Sequence, residues 1–296
     1  MTPSRVLLLA LGAALAATAA VLLLRVLVAW AEPRMVFFPW RGVTATPADR
    51  GIPYRRLTIA TVDGERLHAW LLERAPAAPS GGGRGRRVDA DVLYLHGNGG
   101  NLSVWLDVLA ALHARGLRVM AVDYRGYGLS TGAPSEEGLL RDTEAAVEAF
   151  RRLRRPGVPA AYWGRSLGAT FAAYAAQLAP PDALILESPF PDKASVIRRD
   201  PVLRFFNLFA RYRLPTVEYL QGYEGPLLVV HGDADRIIRY ELGREVFARA
   251  RGRKRMATIR GADHNDLHVV DPAAYWEAIE AFLESAGAAA PSPRPA

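Results

Sequence analysis

Between residues 92 and 283 the sequence alternates short apolar, β-rich runs with longer stretches of helical period, and few folds accommodate that alternation. The runs fall at 92–95, 117–122, 160–163, 183–186, 226–230 and 256–259, and helical periodicity marks 102–114, 136–153, 167–178, 241–250 and 273–283. Strands separated by helices pair in parallel through right-handed crossovers, with helices covering both faces of the sheet. The expected fold is therefore α/β, a doubly wound and mostly parallel sheet. Ahead of it, "RRLTIATVDGERLHAWLLER" reads as two strands turned at Asp63-Gly64, an antiparallel hairpin that opens the sheet. The Ala, Pro and Gly-rich stretch 75–87 reads as a flexible connection or hairpin tip, and 286–296 as a disordered tail.

The amino terminus follows a different rule. Residues 6–24 carry no charge, and a further apolar piece, 26–30, follows Arg25. Nineteen such residues suffice to cross a hydrocarbon core as a helix, and they exceed the usual core of a cleavable signal. The segment 1–33 is therefore expected to be a single-pass anchor, with Trp30, Phe37, Phe38 and Trp40 as an interfacial aromatic belt. A signal cleaved at "AWA", 29–31, is the competing reading. Arg25, Arg34 and Arg41 outnumber Arg5 across the span and tilt the orientation towards a cytoplasmic main domain, 34–285. The formal charge of +7 is scattered arginine without a clustered basic face, so nucleic acid is not an expected partner. The densest run, "RARGRKR" at 249–255, falls between a helix and a strand and reads as a solvated turn. With no cysteine there is no disulfide, thiol nucleophile or cysteine-held metal.

In such sheets the loops at the carboxyl ends of the strands hold the site, which gives a positional test for each candidate. Gly164-Arg165-Ser166-Leu167-Gly168 fits G-x-S-x-G between a strand and a helix, the context in which a serine is lifted clear of a sheet on a tight turn. Glycine two residues to either side lets the backbone pass closely, and the helix that starts there offers free N–H groups to a developing oxyanion. Of the six histidines, His68 and His113 fail the positional test; His96 and His231 end strands before glycines and read as turn-closing. His264 follows the last strand and is the best base, with His268 as a fallback. The acid that orients it is Asp235 in "HGDADRII", preferred over Asp233 and Glu187. Oxyanion donors are expected from Leu167 and from the "HGNGGN" loop, at Asn98 or Gly99. That loop lacks the spacing of a phosphate-binding motif. A metal on Asp263, His264, Asp266 and His268 is the weaker reading of the last loop, which has no H-E-x-x-H pattern.

The segments "YLHGNGGNLS", "VDYRGYGLSTGAPSEEGL", "GRSLGAT", "LESPF", "VVHGDAD" and "GADHND" together resemble the α/β-hydrolase superfamily, and within it the bud-emergence branch of membrane-anchored serine hydrolases. The similarity runs from about Arg34 to Leu283. It implies a catalytic triad of Ser166, Asp235 and His264 and a hydrolase of carboxylic esters or thioesters that works without cofactor or metal. Acyl lipids, lysophospholipids or acyl-proteins are the implied substrate types. It also implies that residues 189–225 form a small helical cap, with Phe205, Phe206, Leu208 and Phe209 as an apolar face. A peptidase of the same fold, or an idle anchored binding protein, is the alternative. The role of Arg165, the membrane side, the natural substrate and the oligomeric state are not determined by the sequence.

Overall fold

The structure, a computed structural model, describes residues 2–74 and 88–288, so the connection 75–87 and the end of the expected tail lie outside the described residues. The chain begins with helix α1 (Pro3–Val36), then β1 (Phe38–Pro39), a 3₁₀ turn, and the hairpin β2 (Tyr54–Ala60) and β3 (Arg66–Leu72). After the connection come β4 (Asp91–Leu95), β5 (Gly99–Gly100), α2 (Leu106–Ala114), β6 (Arg118–Val122), α3 (Glu136–Leu153), β7 (Ala160–Arg165), α4 (Leu167–Leu178) and β8 (Ala183–Glu187). The cap region carries α5 (Lys193–Ile197), α6 (Pro201–Asn207) and α7 (Thr216–Leu220). The chain then closes with β9 (Leu227–Gly232), α8 (Tyr240–Arg249), β10 (Lys254–Ile259), α9 (Leu267–Val270) and α10 (Pro272–Ala288). Helix α10 thus runs past the expected boundary at 285, and Ala286 is packed in the core.

The eight-stranded sheet has the order β10-β9-β8-β7-β4-β6-β3-β2. The β2–β3 hairpin joins β6 antiparallel, and the other neighbours are parallel. Both faces are covered, as parallel strands require. Leu93, Leu95, Leu184 and Leu186 point into one core with α3, α4 and α8. Val92, Tyr94, Ala183 and Ile185 point into the other with α2 and α10. Strands buried on both sides read in the sequence as continuous apolar runs for this reason. Helix α3 begins where its sequence says: the Ser135 hydroxyl accepts from the Gly138 N–H at 3.0 Å, and Glu136 and Glu137 sit at the positive end.

Helix α1 is 34 residues long, has a mean hydropathy of 2.6 over its most apolar 18-residue window, and buries none of that window against the rest of the chain. It is long and apolar enough to cross a membrane. Its carboxyl-terminal turns, by contrast, reach the folded domain. Glu32 is buried, and β1, which follows directly, pairs in parallel with β5 in the loop after β4.

Candidate active site

Ser166 sits between β7 and α4 with φ 53° and ψ −114°, a region that a residue with a side chain rarely enters. Such a backbone costs roughly 1–3 kcal/mol and persists only where its surroundings dictate it. Here the two flanking glycines permit it. A Cβ on Gly164 would lie 2.2 Å from the Gly168 carbonyl oxygen, and one on Gly168 would lie 2.0 Å from that of Leu95. The Ser166 N–H donates to the Glu187 carbonyl at 2.8 Å, which holds the turn to the end of β8.

His264 lies in the loop between β10 and α9, and Asp235 in the loop after β9, both at carboxyl ends of strands. Nδ1 of His264 is 2.8 Å from Asp235 Oδ2. Burial works to raise the Asp235 pKa, but hydrogen bonds from His231 and His264, the charge of His264 and the Ile238 N–H outweigh it and hold the carboxyl well below the usual range. An ionised carboxylate at Nδ1 places the proton there and leaves Nε2 as the basic nitrogen. Ser166 and His264 line one cavity of about 980 Å³. Among the described residues the Ser166 hydroxyl has no hydrogen-bond partner, and such hydrogen bonds are often long before a substrate is bound.

Two residues with free backbone donors line the same cavity. The Leu167 and Asn98 N–H groups have no acceptor among the described residues, and both residues, with Gly99, line the cavity. The Asn98 side chain does something the sequence did not reveal. Its Nδ2 donates to the Val36 carbonyl at 2.5 Å, while Oδ1 accepts from the Phe38 N–H at 3.2 Å and the Tyr127 hydroxyl at 2.9 Å. Asn101 donates to the carbonyls of Trp40 and Gly42. The loop that presents the donors is therefore strapped to the chain leaving α1.

The rival acids are engaged elsewhere. Glu187 Oε2 accepts from the Tyr275 hydroxyl at 3.0 Å and from Trp163 Nε1 at 3.3 Å, and Oε1 lies 2.9 Å from Arg165 Nη1, close enough to pair but off the hydrogen-bonding direction. Asp233 accepts from the Gly261 N–H. Asp263 takes Arg236 and the His264 N–H, and no group of His, Asp and Glu with metal-binding geometry occurs among the described residues. His268 lines the cavity but has no carboxylate partner among the described residues, and burial pushes its pKa below the ordinary histidine value.

Two further residues belong to the arrangement. Arg165 is fully buried over the Trp105 ring and donates to the His264 carbonyl at 2.7 Å, joining the serine turn to the histidine loop. His231 donates through Nε2 to the Ile238 carbonyl at 2.8 Å and lies 3.2 Å from Asp235 Oδ2, so a second imidazole orients the acid. The four-residue spacing of His231 and Asp235 was the available signal. The first two histidines of the sheet form a separate cluster: His68 Nδ1 is 2.8 Å and His96 Nε2 is 3.4 Å from the buried Asp123.

The family model for "Serine aminopeptidase, S33" matches residues 86–222. A Mycobacterium tuberculosis protein, uncharacterized protein Rv2307c, is 34% identical over 258 residues, covering 86% of this chain and 88% of the relative. The chain belongs to the α/β-hydrolase superfamily, in its membrane-anchored branch. To that branch points a Saccharomyces cerevisiae relative described as uncharacterized membrane protein YNL320W, 30% identical over 273 residues, covering 86% of this chain and 90% of its own. The hydrolase fold is shared with the Pyrococcus furiosus esterase Pf2001 at a TM-score of 0.67 and 21% identity, covering 84% of this chain and 97% of that one.

Proposed function

We propose that this hydrolase cleaves carboxylic esters or thioesters of acyl lipids or acylated proteins through an acyl-enzyme on Ser166. The observation that carries the reading is the Asp235–His264 contact beside a serine on a strained turn, with both His264 and Ser166 facing one largely apolar cavity. Ser166 Oγ attacks the carbonyl carbon as His264 Nε2 takes its proton, and the ionised Asp235 stabilises the imidazolium. The oxyanion is received by the N–H groups of Leu167 and of Asn98 or Gly99. His264 then protonates the departing alcohol or thiol as the C–O or C–S bond breaks. Water, deprotonated by His264, attacks the acyl-enzyme, and the acid leaves as the proton returns to Ser166. No step needs a cofactor.

The same reading makes residues 1–33 the membrane anchor and the chain from 34 to the end of α10 at 288 the hydrolase domain. Arg25, Arg34 and Arg41 against Arg5 favour the cytoplasmic side for that domain. The test is turnover of p-nitrophenyl butyrate and labelling by a fluorophosphonate probe in wild type and in Ser166→Ala. Both signals are expected in the wild type and absent from the variant; equal turnover in the two proteins would overturn the assignment. The matched family's description favours one second reading, a peptidase, so aminoacyl p-nitroanilides belong in the same assay, and faster turnover of those than of esters would replace the ester reading.

A further inference from the structure

The geometry points to a docking surface for the bilayer, built from the end of α1 and cap helix α6, through which substrate passes from the membrane to Ser166; the passage rests on the hydrolase reading above, the docking does not. The cavity is lined by Val28, Glu32 and Met35 of α1 and by Leu203, Phe206 and Ala210 of the cap, so the end of the apolar helix and the cap both contribute to its wall. At 1.5 Å per residue, the uncharged stretch 6–24 spans roughly 28 Å, the thickness of a hydrocarbon core. Residues 28–36 then lie roughly 5–16 Å beyond Arg25, at the depth of the headgroups when α1 stands upright.

The cap is held at that depth. Glu32 pairs with the Lys193 ammonium and accepts from the N–H groups of Arg211 at 2.7 Å and Tyr212 at 3.0 Å, and the Phe37 and Tyr212 rings meet at 5.6 Å. A buried carboxylate with three donors ties the cap segments on either side of α6, at 193 and at 211–212, to the end of α1. What α6 and the residue that ends it then present is apolar: Val202, Phe205 and Leu208 are 60%, 53% and 71% exposed, and Trp30 at the end of α1 and Trp40 after it are likewise 65% and 62% exposed. Exposed Arg199 and Arg204 flank that face without an ion-pair partner among the described residues, and Arg198 reaches Glu245 only at 3.9 Å. Apolar side chains ringed by arginine, a few residues from a membrane span, match the acyl boundary and phosphates of a lipid surface. Continuity with α1 selects the bilayer over a second copy of the chain.

The absence of cysteine makes the test direct. The full chain in phosphatidylcholine–phosphatidylglycerol vesicles carries one cysteine, Leu208→Cys or, on the exposed end of α3, Arg152→Cys, labelled with the fluorophore NBD. The label at 208 should be quenched by doxyl-labelled lipid and shielded from iodide, and the label at 152 the reverse. Iodide quenching at 208 equal to that at 152 overturns the proposal, and so does shielding at 208 without doxyl quenching, the outcome for a second copy. Neither readout requires activity, so failure of docking is separable from failure of the hydrolase reading. For the passage, Phe205→Ser/Leu208→Ser should lower kcat/KM on 4-methylumbelliferyl oleate held in vesicles by roughly ten-fold or more, with p-nitrophenyl butyrate unchanged. An undiminished rate on the vesicle substrate overturns it.

Discussion

Arg165 holds a positive charge in a fully buried position because the Glu187 carboxylate outweighs the burial that opposes it. Removing one member of such a pair strands the other, so Arg165→Met should cost about 3–5 kcal/mol in urea denaturation, while Arg165→Met/Glu187→Met should recover only part of that loss, because the Tyr275 hydroxyl, Trp163 Nε1 and the His264 carbonyl stay without their partners. Asp235 behaves differently because its pKa is depressed. Its contribution to stability is present above the unfolded carboxylate value near 3.9 and is lost as pH falls through the lower folded value. Thermal unfolding of wild type and Asp235→Asn should therefore differ most at neutral pH, with the wild-type advantage shrinking only below about pH 4. Gly168→Ala should destabilise by about 2–3 kcal/mol, since its Cβ would press on the Leu95 carbonyl. At this scale strand-end position singled out Asp235 and His264, whose side chains lie 2.8 Å apart, and Ser166, which lines the same cavity as His264. Arg165 and Asn98 were illegible in their side-chain roles. Their partners, His264 and Glu187 for one, Val36 and Tyr127 for the other, lie 22 to 99 residues away.

Elements were most legible where their ends are locally encoded. Helices α3 and α4 have the expected bounds, one from the Ser135 cap and the other because it begins on the serine turn. Helix α2 was expected from 102 and starts at Leu106 instead. Asp123 takes the Leu102 N–H at 2.9 Å and Asn101 takes that of Ser103 at 2.9 Å, drawing the first residues into turns. The β1–β5 pair is two residues long on each side, and no pattern announces it. Its consequence is that α1 is coupled to the loop bearing Asn98 and Gly99. Glu32→Ala should leave the N–H groups of Arg211 and Tyr212 without their acceptor, at a cost of about 2–3 kcal/mol. Hydrogen exchange on the full chain checks this, with faster exchange expected at 211 and 212 and no change in α3.

For the whole molecule, the cavity is lined both by the hydrolase domain and by the end of a helix long and apolar enough to cross a membrane. Its walls are mainly apolar, so each methylene of an acyl chain that enters should add affinity. Across p-nitrophenyl esters of increasing length, kcat/KM should rise by about two- to four-fold per methylene while the chain remains within the cavity and then level off. A flat profile would show that the chain lies outside it. The sequence by itself determined the α/β class, the helix long enough to span a membrane, and the strand-end positions of Ser166, Asp235 and His264, because apolar period and strand-end position are local properties of the chain. Tertiary structure alone decided that Glu187 serves Arg165 rather than His264, that His231 steadies Asp235, and that the anchor's last turns wall the cavity. Those outcomes depend on which distant residues a folded sheet and a docked helix bring within hydrogen-bonding reach, and a one-dimensional pattern does not encode that distance.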